Sequence, residues 1–331
     1  MRGNLDEALR IQKDEVLPVF ERTGAIREYA ITLSKIADIF QMRGELDEAL
    51  RIRTENELPI FEKLGDIHHR AVTMGQIADI FRTRGQFDEA LRIRHEEELP
   101  IYKRLGDTRA HAIALSNIAD IFSERGNLDE ALRILQEEAL PIFNKLGDSY
   151  ACAVVLGRIS VVRHERGELD EALRILEEEA LPIFNRLGAV RDRAITLGHI
   201  ADILQTCERF DEALRIRNEE QLPVYESLGD VREYALTLGQ IADILRGKGQ
   251  HSEAIRVLKN DVLPVFEKLG RGRDLVVYRI NTALIYLQRA HPTDRLEAEL
   301  LLRLALLDAQ LMQLPQSNRI RHILRNHGFD A

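Results

Sequence analysis

The chain has 331 residues, with 46 Lys and Arg against 55 Asp and Glu, a formal net charge of −9 and a charged fraction of 31%. A negative balance of this size offers no basic field to gather nucleic acid or anionic lipid, so the expected partner is a protein or peptide of basic or neutral character, with no nucleic acid and no membrane. Hydrophobic residues make up 45%, enough for a shared core. No apolar run nears the ~18 residues of a membrane span and the N-terminus lacks a signal pattern, so a cytoplasmic setting is the default expectation.

One spacing governs the chain. Pro18, Pro59, Pro100, Pro141, Pro182, Pro223 and Pro264 stand 41 residues apart, and so do Gly24, Gly65, Gly106, Gly147, Gly188, Gly229 and Gly270. A fixed period of this length specifies stacked units that bury their apolar faces on their neighbours, and each period here reads as two helices. Residues 1–24 supply a second helix (B) with no first helix (A) before it, a half repeat that suggests a fragment of a larger protein or an end that joins another molecule. Six helix pairs follow over 25–270, beginning with 25–65 and 66–106. Residues 271–331 hold a seventh helix A, a variant helix B over 294–313 and a short last helix over 318–326, expected to form a polar cap.

The ends of the helices are legible. Asp47 and Glu48 place negative charge on the first turn of helix B, where it complements the helix dipole. Gly65 suits the left-handed residue that ends helix B, and Asp66 the N-cap of the next helix A, expected over 67–83. Loops this short make consecutive helices antiparallel. Along helix A, Leu33, Ile36, Ala37 and Phe40 form an apolar stripe at helical spacing, and Ile39, Ile80, Ile121, Ile203 and Ile244 add a second buried side. Only a narrow sector is left for solvent or ligand.

Pro59 falls inside the helical run of helix B, where it removes a donor and clashes with the carbonyl four residues back, at ~3 kcal/mol in a regular helix. Seven such prolines require relief. The predicted form is a continuous helix with a π-bulge or kink near residues 55–58, rather than a helix that breaks and restarts.

Small Ala37, then Phe40, the turn glycine Gly44 and Ala49 in helix B recur in most copies, and on these residues the chain resembles the tetratricopeptide repeat family over roughly residues 1–290. It departs from the family pattern where Arg53 replaces an aromatic and where proline lies within helix B. The resemblance implies an all-α, right-handed α-α superhelix, a tetratricopeptide-like solenoid, whose helix A faces line a concave groove for protein or peptide. It also resembles the sensor arrays of bacterial signalling NTPases and protease-linked defence proteins.

On the open sector of helix A the candidate groove residues are Lys35, Gln76, Asn117, Arg158, Val161, His164, His199, Asp202 and Gln240. One position reads Ser34, Gly75, Ser116, Gly157, Gly198, Gly239, and mid-helix glycine implies a close approach, by the adjacent helix A or by a ligand. Another reads Asp38, Asp79, Asp120, Val161, Asp202, Asp243. Its polarity follows the helix B position of the preceding unit, which predicts ion pairs between successive repeats: Arg53 with Asp79, Arg94 with Asp120, Arg217 with Asp243. Asp202 is then left unpaired, beside the divergent helix with Arg158, Val161 and His164, and Glu208 replaces the turn glycine, suggesting a distorted turn. Cys152 and Cys207 occupy different repeat positions and read as ordinary thiols. No catalytic set, zinc spacing or phosphate-binding loop occurs, so the chain is expected to be a non-enzymatic binding scaffold without cofactor or metal. The alternative expectations are a homo-oligomer assembled through the half repeat and the sensor region of a larger protein.

Overall fold

The computed structural model describes residues 2–270, 272–312, 314 and 316–329, with side chains from Leu5 onward. Among them are sixteen helices and no strand. The helices are α1 (2–23), α2 (Ile26–Met42), α3 (46–64), α4 (Ile67–Thr83), α5 (87–105), α6 (Thr108–Glu124), α7 (128–146), α8 (Ser149–Glu165), α9 (169–187), α10 (Val190–Thr206), α11 (210–227), α12 (Val231–Gly247), α13 (251–269), α14 (Arg273–Arg289), α15 (Asp294–Leu311) and α16 (Gln316–Asn326). Even-numbered helices from α2 to α14 are the A helices.

The chain resolves into two compact units, residues 1–183 and 184–331, the division falling inside α9. In the first, α2, α4, α6 and α8 each pack on their own B helix and on the B helix before it. In the second, α12 and α14 do the same, and α16 closes over α15. The antiparallel pairs make this an all-α solenoid.

Burial explains why the A helices hold. Ile36, Ala37 and Phe40 are buried on one side of α2, and Ile39, Ile80, Ile121, Ile203 and Ile244 are buried on the other side of their helices. Each fully buried isoleucine stabilises by roughly 1.5–3 kcal/mol relative to exposure. The caps follow the sequence: Gly65 takes φ +65°, and the Asp66 carboxylate accepts the backbone N–H of His69 at 3.1 Å. Asp107, Asp148 and Asp230 cap their helices in the same way. Glu208 adopts φ +58°, the left-handed conformation its glycine counterparts use, so the turn is preserved and not distorted. The side chain bears the strain, at about 1 kcal/mol.

Helix B is continuous and contains a π-helical segment in each of the seven copies before α15, Ile52–Glu57 in α3 and Ile11–Val16, Arg94–Glu98, Ile134–Ala139, Ile175–Ala180, Ile216–Gln221 and Leu258–Val262 in the others. It begins a few residues before the predicted 55–58. The N–H of Leu58, next to the proline, bonds the Arg53 carbonyl five residues back, and Leu99, Leu140 and Leu222 repeat the arrangement. Buried Ala49, Arg53, Glu57 and Phe61 stand four apart, a spacing that outruns the 3.6-residue period. The wider turn keeps all four on one face, and the proline follows where the widened turn closes.

In the second unit the core takes in Leu302, Ala305 and Ala309 of α15 with Ile320, Leu324 and Phe329. α16 exposes Asn318, Arg319 and His322. The outward side of α15 carries exposed leucines.

Candidate binding face of the A helices

The open sector is built around three buried arginines. Arg53 of α3 is 0% exposed, and its guanidinium donates to Asp38 of α2, to Glu57 at 3.1 Å and to Gln76 Oε1 of α4 at 2.6 Å. Glu57 in turn accepts the Thr73 hydroxyl at 2.8 Å. Arg94 of α5 donates to Asp79 of α4 at 2.6 Å and to Glu98 at 2.6 Å. In the second unit Arg217 donates to Asp202 at 2.5 Å and to the Oε1 atoms of Gln221 at 2.8 Å and Gln240 at 2.6 Å.

The expected pairs Arg53 with Asp79, Arg94 with Asp120 and Arg217 with Asp243 are therefore corrected. Each arginine salt-bridges the aspartate of its own unit, fifteen residues earlier, because the antiparallel helix A places that carboxylate opposite it. What reaches from the following unit is Gln76 or Gln240, one turn before its aspartate. Asp202 is paired, contrary to expectation. The polarity correlation still has a physical basis: burial pushes Asp120 and Asp243 up, and the charges of Arg94 and Arg217 from the preceding unit count among those pulling them back.

Asp120 lacks an arginine of its own, since Leu135 stands in that place. Arg158 of α8 turns back to meet it, 3.4 Å from Asp120 and 3.3 Å from Asn117 Oδ1, while Arg82 approaches from α4 at 3.5 Å. Gln76, Asn117, Arg158, Asp202 and Gln240 are thus engaged inside the scaffold. Lys35 is exposed, Val161, His164 and His199 are half-buried, and the divergent set falls with Arg158 and His164 in the first unit and His199 and Asp202 in the second.

The helix A glycines separate into three environments. A Cβ at Gly75 would lie 2.5 Å from Glu98 Oε1, one at Gly198 2.6 Å from Gln221 Nε2, and one at Gly239 2.2 Å from the Tyr278 ring. Only Gly239 faces the next helix A, as the spacing suggested; the first two make room for helix B of their own unit. At Gly157 a Cβ would meet nothing within 4 Å. The helix B residue that fills this place elsewhere is Ala180, whose side chain is too short. The outer line of α8 is also apolar, Tyr150, Val154, Gly157 and Val161, where α6 carries Arg109, Ile113, Ser116 and Asp120.

Two ladders of ion pairs escaped the sequence reading. Arg27 meets the Asp66 N-cap at 2.8 Å, Arg109 meets Asp148 at 2.9 Å and Arg191 meets Asp230 at 2.8 Å, 39 residues on in each case. Arg84, Arg125 and Arg166 reach back 37 residues to Asp47, Asp88 and Asp129 at 2.5–2.6 Å. Both recur at constant offsets and were open to the same pairing test. Each such exposed pair contributes little alone, about 0–1 kcal/mol, but together they hold neighbouring units in one register.

Among the described residues no group of three or more His, Cys, Asp or Glu is placed to hold a metal ion, and no helix is long and apolar enough to cross a membrane. Cys152 is buried and Cys207 half-buried, both as free thiols.

Antiparallel pairs repeated in this packing order, with alanines such as Ala37 and Ala49 fully buried, form a helical-repeat solenoid. The tetratricopeptide repeat family model matches residues 112–186. Among solved structures the chain is similar to aspartyl phosphate phosphatase F from Bacillus subtilis, with TM-score 0.61 and 16% identity over 91% of this chain and 75% of that one. A signal transduction ATPase with a tetratricopeptide repeat sensor from Pyrococcus horikoshii gives TM-score 0.60 and 16% identity over 93% and 48%. A tetratricopeptide repeat protein from Parabacteroides merdae gives 0.54 and 15% over 90% and 98%. At these identities the likeness is one of fold. No curated protein matches the sequence.

Proposed function

We propose that the chain is a non-enzymatic scaffold that binds a protein or peptide segment on the exposed face of its A helices, with an apolar anchor of the partner seated at α8. The observation that carries this is the niche over Gly157, unfilled because Ala180 stands where Glu98 and Gln221 fill the equivalent space. An apolar side chain entering it meets Val161 and Val154 on the same helix face. Rigid stacked helices hold the niche open before binding, so little ordering cost falls on the scaffold.

The test is selection of displayed peptides on the full chain, followed by binding of the enriched peptides to Gly157→Leu and Val161→Asp. Leucine is a better helix former than glycine and the site has room for it, so the first variant folds. Enriched peptides are expected to share an apolar residue and to lose at least tenfold in affinity to both variants, but not to the exposed control Glu178→Ala. Undiminished binding to Gly157→Leu would remove recognition from α8. A sensor role within a larger signalling protein uses the same face, and would add a change in the activity of a linked domain when the peptide binds.

A further inference from the structure

The outward side of α15 departs from every other B helix. Leu296, Leu300, Leu304, Leu307 and Leu311 are 75%, 55%, 37%, 49% and 60% exposed. Their steps of four, four, three and four follow the helical period, so they form one straight stripe about 22 Å long at 1.5 Å per residue. On α3 the outward positions are polar, half-buried Glu48 and exposed Arg51, Glu55 and Asn56. The inner side of α15 is already committed, with Ala298, Leu302, Ala305 and Ala309 buried against the core and Asp308 bonded to Arg279 at 2.6 Å. The stripe is a second apolar face on a helix that needs only one to fold.

We propose that this face pairs with the same face of a second copy, the two α15 helices running antiparallel about a twofold axis near Leu304. Three features select that occupant. The spacing reads nearly the same in both directions, so reversal sets Leu296 opposite Leu311, Leu300 opposite Leu307 and Leu304 beside its own copy, the self-complementarity an isologous interface requires. The charges select the direction: Glu297 and Glu299 sit near the N-terminal end, and a parallel pairing would gather the carboxylates of both copies there. The antiparallel pairing sends them to opposite ends, beside the half that ends in Gln310 and Leu311, whose one charge, Asp308, is turned inward to Arg279, and opposes the helix dipoles. The area is sufficient, since five leucines exposed to this degree present roughly 500 Å² of apolar surface per copy and on the order of 1,000 Å² for two, the lower bound of a specific interface. Arg303, bonded to Glu299 at 2.7 Å, lies on the rim where it stays hydrated.

Sedimentation velocity of the full chain from low micromolar to several hundred micromolar tests the pairing. A dimer fraction that rises with concentration is expected, and the double variant Leu300→Glu, Leu307→Glu is expected to weaken dimerisation at least tenfold with its helical circular dichroism unchanged, because both sites are exposed. Under mild oxidation Leu304→Cys is expected to cross-link to itself while Leu296→Cys does not. A parent chain that stays monomeric throughout, a dimer indifferent to the glutamates, or self-linking at Leu296→Cys would each overturn the proposal. The first would leave the stripe to a different polypeptide, the second would place the dimer contact elsewhere, and the third would mean parallel helices.

Discussion

Asp120 illustrates how a carboxylate in this scaffold behaves when the arginine of its own unit is missing. Leu135 occupies the place of that arginine, and burial pushes the Asp120 carboxyl up, with Arg158, Arg82 and Arg94 only partly offsetting it. A carboxyl raised on folding binds its proton more tightly in the folded state than in the unfolded one. Its contribution to stability is therefore fully present below the ordinary value of 3.8 and is lost as pH rises through the folded value. Asparagine has the shape of the neutral form. Asp120→Asn is expected to be more stable than the parent near neutral pH, with the difference closing as the solution is taken below the ordinary aspartate range. Urea midpoints at the two pH values measure it, and a variant less stable than the parent at neutral pH would mean that the ion pairs to Arg158 and Arg82 outweigh burial.

At the scale of the helix, two causes compete for the π segments: the proline, and the four-residue spacing of the buried face. The spacing is the stronger, because Arg53, Glu57 and Phe61 are fixed by contacts on both sides while Pro59 needs only to lack a donor where the widened turn closes. Pro59→Ala is expected to keep the segment and to change stability by under about 1 kcal/mol, through the unfolded chain. Deleting exposed Asn56 instead shortens the spacing to one that a regular α-helix satisfies with Ala49, Arg53, Glu57 and Phe61 still on one face, so the wide turn is expected to vanish, and Pro59 then lies inside a regular helix at a cost of about 3 kcal/mol. Urea unfolding of both variants decides between the causes, and a large loss from Pro59→Ala alone would favour the proline. Helix ends, the buried sides of helix A and the π segment were legible in the sequence because each is a local pattern repeated at one period. The pairing of Arg53 was not, since offsets of fifteen and twenty-six both bring an aspartate near, and only packing chooses between them. The niche at Gly157 depends on Ala180 being short, 23 residues away on another helix. The α15 stripe was hidden in the run LLRLALL, where Leu302 faces inward and Leu300, Leu304 and Leu307 outward.

For the whole molecule, stability in a repeat array is approximately a sum over units and their nearest-neighbour contacts, so damage stays local unless the contacts are strong enough to spread it. Arg94 lies deep in the first unit, 1% exposed, holding Asp79 and Glu98 together. Removing it leaves buried Glu98 and partly exposed Asp79 without their shared cation, at about 3–5 kcal/mol. In Arg94→Ala, amide exchange is expected to accelerate by two orders of magnitude or more in α4 to α7, which flank the lost charge, while α12 to α14 in the second compact unit keep parental protection. Hydrogen-exchange mass spectrometry with peptides covering 67–146 and 231–289 resolves the two regions. An equal loss of protection in both would mean that the array opens as one cooperative block. In that case a partner anchored at α8 would stabilise every repeat alike, whereas local opening confines its stabilising effect to the helices that frame the niche.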